Sequence, residues 1–374
     1  MVRENRKIEK VLITADTIGG VWTYVLELAR AFQPYDVNFY VATMGKGLSN
    51  AQLRDVFETP NMEIFSSRYK LEWMQDPWND IEEAGNWLLD LQDQINPDII
   101  HLNNYSFGNL NWNAPVVMVA HSCVLSWWQA VKKEPATQEW NEYYKKVRDG
   151  LRAADLVVGV SQSFLKHVKN YYGPFVDSMF IYNGLDHRKY YIKNKSPYIF
   201  AMGRIWDEGK NLRVLADIEK VDGWPIFIAG NNNDPSGFNH PYVSDCFLGQ
   251  LTQENVKKYL SEASIFVHPA KYEPFGLAAL EAGLSGCALI LSDIPSLREI
   301  WNDNALYFDV NDKDSLKEAI SKLIRNVNLR EYYQQKAYER AKFFSHEVWA
   351  DKYLKVYQKM IRKYYWPVGP LSDN

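Results

Sequence analysis

The chain has 374 residues, 47% of them hydrophobic and 24% charged, with a formal net charge of −4. That length exceeds one comfortable core and suits two domains, and the composition is that of a folded globular protein, not a disordered one. The mild acidity excludes a general nucleic-acid binder, which carries a basic field.

Three cysteines, Cys123, Cys246 and Cys287, are too few and too widely spaced for a disulfide framework or a zinc site, which suits a reducing cytoplasm. The opening stretch, MVRENRKIEKVLITAD, is charged and lacks the apolar core of a signal peptide. No apolar run approaches the roughly 20 residues that span a bilayer. A soluble cytoplasmic protein is expected, at most docked on a membrane surface.

Short β-branched runs alternate with helical periodicity throughout. In the first half the expected strands are KVLITAD, VNFYVAT, MEIFSS, DIIHLNN, VVMVAHS, LVVGVSQ and MFIYNG. Between the first two, Val21, Val25, Leu28 and Phe32 recur at helical spacing and give one apolar face. Runs apolar on both faces, separated by helices, mark parallel strands covered on both sides. The spacing predicts a doubly wound α/β domain over residues 1–190.

A polar, basic stretch with a proline, around 186–197, then interrupts the pattern. It restarts with YIFAMGR, PIFIAG, CFLG, SIFVHPA, CALILSD and ALYFD, predicting a second α/β domain over 191–345. The last segment, 346–374, reads as one long amphipathic helix stopped by Pro367. Ligands of such sheets bind at the carboxyl ends of the strands, so a cleft between two such edges is expected and the loops after the strands matter most.

Four of those loops carry suggestive chemistry. After the first strand, Gly19 and Gly20 open a helix and let backbone amides approach an anion or a sugar; a plain turn explains them equally well. The loop is not G-x-G-x-x-G, so a nicotinamide oxidoreductase fits poorly. His121, at the end of VVMVAHS, is placed to donate to a phosphate or a sugar hydroxyl, although a lone histidine is more often structural. In GRIWDEGKN, Arg204 and Lys210 flank a loop between a strand and a helix expected near Asn211, and two cations at a helix N-terminus make an anion site, the alternative being a pair of solvated charges. In YEPFGLAALEAG, Glu273 and Glu281 lie eight residues apart, about 12 Å along the axis if both are helical. That is too far for two carboxylates working on one bond, but it suits one extended ligand held at two places. Alternatively, Glu273 caps the helix and Glu281 pairs with a core arginine.

Taken together, these segments resemble the retaining glycosyltransferases of family 4, which have the two-domain GT-B fold. YEPFGLAALEA is similar to the family's motif of two glutamates separated by seven residues, GRIWDEGKN to its Arg…Lys segment, and DTIGGVWTYVLELARAF to its glycine-rich first loop. VAHS, VVGVSQSFLKHV, YNGLDHRKY, DIPSLREIW and FSHEVWADKYLKVYQKM follow in the family's order, so the resemblance covers almost the whole chain. It implies that Arg204 and Lys210 hold the diphosphate of a UDP- or GDP-linked sugar. Glu281 would hold its ribose, and Glu273 with the amides of Phe275, Gly276 and Leu277 the donor sugar. Gly19 and Gly20 would approach the distal phosphate, His121 the sugar, and Leu248 and Gly249 the nucleobase.

The resemblance also implies that no metal is needed, and that the terminal helix crosses back onto the first domain. One departure stands out: Gly209 precedes Lys210, where the family often has glycine after the lysine. A nucleotide-sugar epimerase or phosphorylase would share the fold, and a non-catalytic sugar-binding module would share the motifs. The acceptor is open. SSRYKLEWMQDPWND and residues 121–150 interleave aromatic and basic residues, as would suit a membrane surface with a lipid-linked acceptor, a platform for a glycan or small polyol, or an ordinary solvated helix.

Overall fold

The computed structural model of the chain describes residues 7–175, 177–218, 220–233 and 246–366. By contact the chain divides into two units, one of residues 1–126, 135–184 and 346–374, the other of residues 127–134 and 185–345. The division falls at 184/185, a few residues before the expected boundary near 190. The short segment 127–134, expected with the first half, groups with the second unit.

In the first unit the strands are β1 (Lys10–Asp16), β2 (Asn38–Met44), β3 (Met62–Ser66), β4 (Ile99–Leu102), β5 (Val116–Ala120), β6 (Leu156–Gly159) and β7 (Ser178–Phe180). They form one parallel sheet in the order β3-β2-β1-β4-β5-β6-β7. The direction of chain progression therefore reverses between β1 and β4, where Ile13 faces His101 in register. The helices between them are α1 (Gly20–Ala31), α2 (Asn50–Phe57), α3 (Trp78–Ile95), α4 (Val124–Val131), α5 (Asn141–Ala153) and α6 (Gln162–Tyr172), with α4 divided between this unit and the 127–134 segment of the other. Residues of β1, β4 and β5 are almost wholly buried, which is why their sequences are apolar on both faces.

The second unit repeats the plan with β8 (Ser196–Met202), β9 (Lys220–Val221), β10 (Trp224–Ala229), β11 (Phe247–Gly249), β12 (Ala263–His268), β13 (Ala288–Ser292) and β14 (Leu306–Phe308). The parallel order is β11-β10-β8-β12-β13-β14, with the two-residue β9 antiparallel on β10. Its reversal lies between β8 and β12, where Phe200 faces Phe266. Helices α7 (Arg213–Ala216), α8 (Gln253–Glu262), α9 (Leu277–Leu284), α10 (Pro295–Trp301), α11 (Lys313–Arg325) and α12 (Val327–Lys342) complete it. The core is a β-branched set, Ile199, Ile226, Ile228, Ile265, Val267 and Ile290, sealed by Leu316, Ile320 and Leu323 of α11.

The last helix, α13 (His346–Tyr365), belongs to the first unit and packs on α1. Its buried face is aromatic: Trp349, Tyr353 and Tyr357 lie at helical spacing and are at most 2% exposed. These residues also form a polar chain through the core. Tyr24 Oη of α1 donates to Tyr353 Oη at 2.7 Å and lies 3.2 Å from His101 Nε2, while His101 Nδ1 lies 2.6 Å from Tyr357 Oη. Since a tyrosine has one hydroxyl proton, His101 Nε2 must donate to Tyr24, and Tyr357 to His101 Nδ1. Glu27 of α1 stands 2.8 Å from His346 and 2.9 Å from Arg30. Among the described residues no helix is long and apolar enough to cross a membrane.

Replacing Tyr357 by Phe strands the His101 Nδ1 lone pair in a water-free interior. The expected cost is about 1–3 kcal/mol in urea-induced unfolding. An unchanged midpoint would show that this contact does not tie α13 to β4.

Candidate functional site

Both sheets place their chemistry beside the strand-order reversal, the position at which open α/β sheets take ligands. In the second unit the two loops concerned are those after β8 and β12. The first begins at Arg204, whose Nη2 donates to Asp207 Oδ2 at 2.6 Å. Asp207 Oδ1 accepts from the Gly209 backbone N–H at 2.8 Å and from the Trp127 indole N–H at 3.2 Å. Burial alone would raise the Asp207 carboxyl, but Arg204 and Lys210 hold it below its ordinary range. Arg204 Nε, by contrast, is buried with no acceptor among the described residues. An arginine with one donor anchored and another unspent is poised for an outside acceptor.

The second loop follows β12. Glu273 Oε2 lies 2.6 Å from Lys210 Nζ and 2.8 Å from Nε2 of His268, the last residue of β12. The carboxylate is nine-tenths buried. Burial would push it up, but the charge of Lys210 and the hydrogen bond from His268 overcome this and hold it well below the usual carboxylate range. Backbone bonds reinforce the link: the Gly209 carbonyl accepts from Lys271 and Tyr272, and Asn211 Nδ2 donates to the Pro269 carbonyl at 3.0 Å. Ser296 Oγ of α10 donates to the Glu273 carbonyl.

The placement of Gly209 before Lys210 has a steric reason. A Cβ there would stand 2.7 Å from Trp127 Nε1 and 2.9 Å from Asp207 Oδ1. Glycine lets the indole of α4 and the Asp207 carboxylate close over the loop, while Lys132 of the same segment pairs with Glu208 at 2.7 Å. Trp127 therefore spends its N–H inside the protein, on Asp207.

A helix does begin near Asn211: α7 starts at Arg213, but it has only four residues, and Asn211 itself is left-handed, at φ 53°. So short a helix adds little dipole, and Arg204 and Lys210 are held by Asp207 and Glu273. One expectation from the sequence is corrected: Glu273 and Glu281 do not share a helix. Gly276 is left-handed, at φ 95°, and caps α9, so Glu273 precedes the helix and the axial spacing of 12 Å does not apply. Glu273 makes no cap bond either.

Phe275 buries its ring against Phe344 and leaves its backbone for the loop. Leu277 is the first residue of α9, whose start carries no side-chain cap and no acidic residue. Glu281 is half-buried one turn on. Leu248 and Gly249 end β11 at the sheet edge, with Gly249 at φ 71° and its carbonyl accepting from Gly230.

In the first unit, Gly19 caps α1 at φ 101°, a conformation that favours glycine, and Gly20 has open space where a side chain would be. Both are exposed, and the first turn of α1 has neither side-chain cap nor acid. His121, after β5, is half-buried with its ring 4.4 Å from that of Tyr24 and its Nε2 2.7 Å from Asn103 Oδ1. Burial lowers its pKa to about 3, so at neutral pH it brings no positive charge. Among the aromatic stretches of this unit, Glu72 is buried and accepts from the amides of Tyr105 and Ser106, anchoring the loop before α3.

Sequence reasoning passed over Asp207, His268, Asn103 and Trp127. Asp207 stood inside the quoted GRIWDEGKN, and His268 closes a strand just before a proline, a position that selects for function or for a bonded polar group. Asn103 and Trp127 carried no local signal.

Two family models match the chain: Glycosyltransferase Family 4 over residues 18–189 and Glycosyl transferases group 1 over residues 184–340. Among curated relatives, the chain is 31% identical over 112 residues to O-antigen chain mannosyltransferase B of Escherichia coli, covering 30% of this chain and 29% of that protein. It is 25% identical over 295 residues to alpha-maltose-1-phosphate synthase of Mycolicibacterium smegmatis, covering 67% of this chain and 75% of that one. The matched stretches span 29%, 39% and 46% of the first three curated relatives. Among solved structures, sucrose-phosphate synthase from Thermosynechococcus elongatus superposes with a TM-score of 0.76 at 17% identity, over 94% of this chain and 98% of that one. The Anabaena protein HepE, in complex with UDP-glucose, gives 0.71 at 14% identity, over 94% and 99%.

Replacing Lys210 by Ala leaves the Glu273 carboxylate buried with His268 alone, and should cost on the order of 3 kcal/mol at pH 7. A carboxylate held low in the folded state stabilises above its unfolded pKa, about 4.3, and that contribution fades as pH falls below it. The deficit of the variant against wild type should therefore shrink as pH falls from about 5 towards 2 in thermal melts. A deficit constant with pH would show that the pair does not hold Glu273 ionised.

Proposed function

The chain belongs to the family 4, group 1 glycosyltransferases with the GT-B fold, and from that premise we propose that it moves a hexosyl group from a nucleoside-diphosphate sugar to an acceptor hydroxyl, with retention of anomeric configuration. The observation that carries this reading is the Arg204–Lys210 pair, held in place by Asp207 and Glu273, with Arg204 Nε–H buried and unspent. A diphosphate offers the oxygens that such a donor lacks.

In this reading the bond from the anomeric carbon to the leaving phosphate oxygen breaks and negative charge gathers on the diphosphate. Arg204 and Lys210 stabilise that charge, and because their partners already fix them, little reorganisation is needed as it develops. The acceptor oxygen attacks from the same face, and its proton passes to the departing phosphate. Glu273 and the amides of Phe275, Gly276 and Leu277 hold the donor sugar, Glu281 the ribose, and Leu248 and Gly249 the nucleobase. The family resemblance assigns Gly19 and Gly20 to the distal phosphate and His121 to the sugar. The donor is UDP- or GDP-linked; HepE, a protein of this fold, binds UDP-glucose. The acceptor is a glycan, a small molecule or a lipid-linked hydroxyl, the last presented at a membrane surface.

Incubation with a panel of UDP- and GDP-sugars, followed by NMR of the products, should show turnover of one donor and a product of unchanged anomeric configuration. Arg204→Ala should lower that turnover by roughly 10²–10³-fold. Wild-type turnover in the variant would remove Arg204 from the phosphate, and an inverted product would remove the same-face mechanism.

Cations of the chain carry the charge in this scheme, so no metal is required. Excess chelator should leave turnover unchanged. A loss that added magnesium or manganese restores would overturn the metal-free reading.

A further inference from the structure

Thr14 of β1 and Asn103, one residue beyond β4, are brought side by side because β1 and β4 are neighbours at the reversal of the first sheet. The Asn103 backbone N–H donates to Thr14 Oγ1 at 2.9 Å, and Asn103 Nδ2 donates to the Thr14 carbonyl at 2.6 Å. A backbone carbonyl can only accept, so the side-chain amide has one orientation: nitrogen towards Thr14, oxygen away from it. That oxygen lies 2.7 Å from His121 Nε2. An amide oxygen also only accepts, so Nε2 must carry the proton.

A neutral imidazole with its proton on Nε2 keeps a lone pair on Nδ1. No residue takes that lone pair among the described ones. The titratable groups facing the ring are Tyr24 of α1 and His101 of β4. Burial pushes the Tyr24 hydroxyl well up, and burial, with His121 close by, pushes His101 down to about 3. Both stay uncharged, so neither favours the imidazolium form of His121.

We infer that Asn103 is a positioning residue for glycosyl transfer: oriented by Thr14, it fixes His121 as the Nε2–H tautomer and leaves Nδ1 to accept a hydrogen bond from a sugar hydroxyl. The inference rests on the reading of His121 as a contact of the donor sugar. It also replaces the donor role expected from the sequence. A phosphate oxygen brings lone pairs and meets one, whereas a hydroxyl brings a proton. The atom therefore discriminates between the two parts of a nucleotide sugar.

The test is a long-range proton–nitrogen NMR spectrum of protein labelled with ¹⁵N-histidine, His121 being assigned by its loss in His121→Gln. Wild type at pH 7 should show a protonated Nε2 and a lone-pair Nδ1 for His121. Asn103→Ala should give a mixture of tautomers and raise the donor KM roughly 5–10-fold with a smaller change in kcat. A wild-type ring protonated on Nδ1, or an Asn103→Ala ring indistinguishable from wild type, overturns the proposal. Should Asn103→Ala not fold, the wild-type spectrum still decides. The spectrum needs no substrate, so a wrong reading of His121 shows separately, as an unchanged donor KM in His121→Gln.

Discussion

One buried carboxylate organises the second unit. Glu273 is taken out of water at a cost of several kcal/mol unless it is paired, and Lys210 and His268 both fall on its Oε2. Because Lys210 comes from the loop after β8 and His268 from the end of β12, satisfying that charge stitches together the loops on either side of the strand-order reversal. The Gly209 carbonyl and the Asn211 amide repeat the stitch through the backbone. Asp207 does for Arg204 what Glu273 does for Lys210. Each cation is thus oriented by an acid within the fold itself.

The first unit follows the opposite policy. His101, His121, Tyr24, Tyr353 and Tyr357 are titratable groups at its centre, and burial drives every one of them towards its neutral form. Tyr24, His101, Tyr353 and Tyr357 are joined by hydrogen bonds between uncharged partners, so rigidity comes without a field. The helix last in sequence takes part: α13 contributes Tyr353 and Tyr357, more than 250 residues from the histidine that Tyr357 contacts.

Much of this was legible in order. All thirteen expected strands are present; the central ones, buried on both faces, are apolar throughout and so stand out from helices with one apolar stripe. Among the described residues only β9, two residues long, escaped. Gly19, Gly276, Arg204, Lys210 and Glu273 all lie in loops after strands, as their motifs suggested. Helix extent was less legible. A helix was expected near Asn211 and α7 does start at Arg213, but it runs for only four residues, and the side chain of the left-handed Asn211 bonds to the Pro269 carbonyl, a partner 58 residues away that no local pattern encodes.

The sequence by itself determined the two α/β layers, the loops that carry chemistry and the family to which the chain belongs, since each depends on short-range periodicity or on a motif within a dozen residues. Tertiary structure alone decided the partners. It set Lys210 on Glu273, Trp127 over Gly209, and Asn103 between Thr14 and His121. It also decided the charge states, leaving Glu273 ionised and His121 neutral. Whether a buried group keeps its charge depends on which atoms stand within about 3 Å of it, and the order of strands in a sheet, not the order of residues in the chain, fixes that.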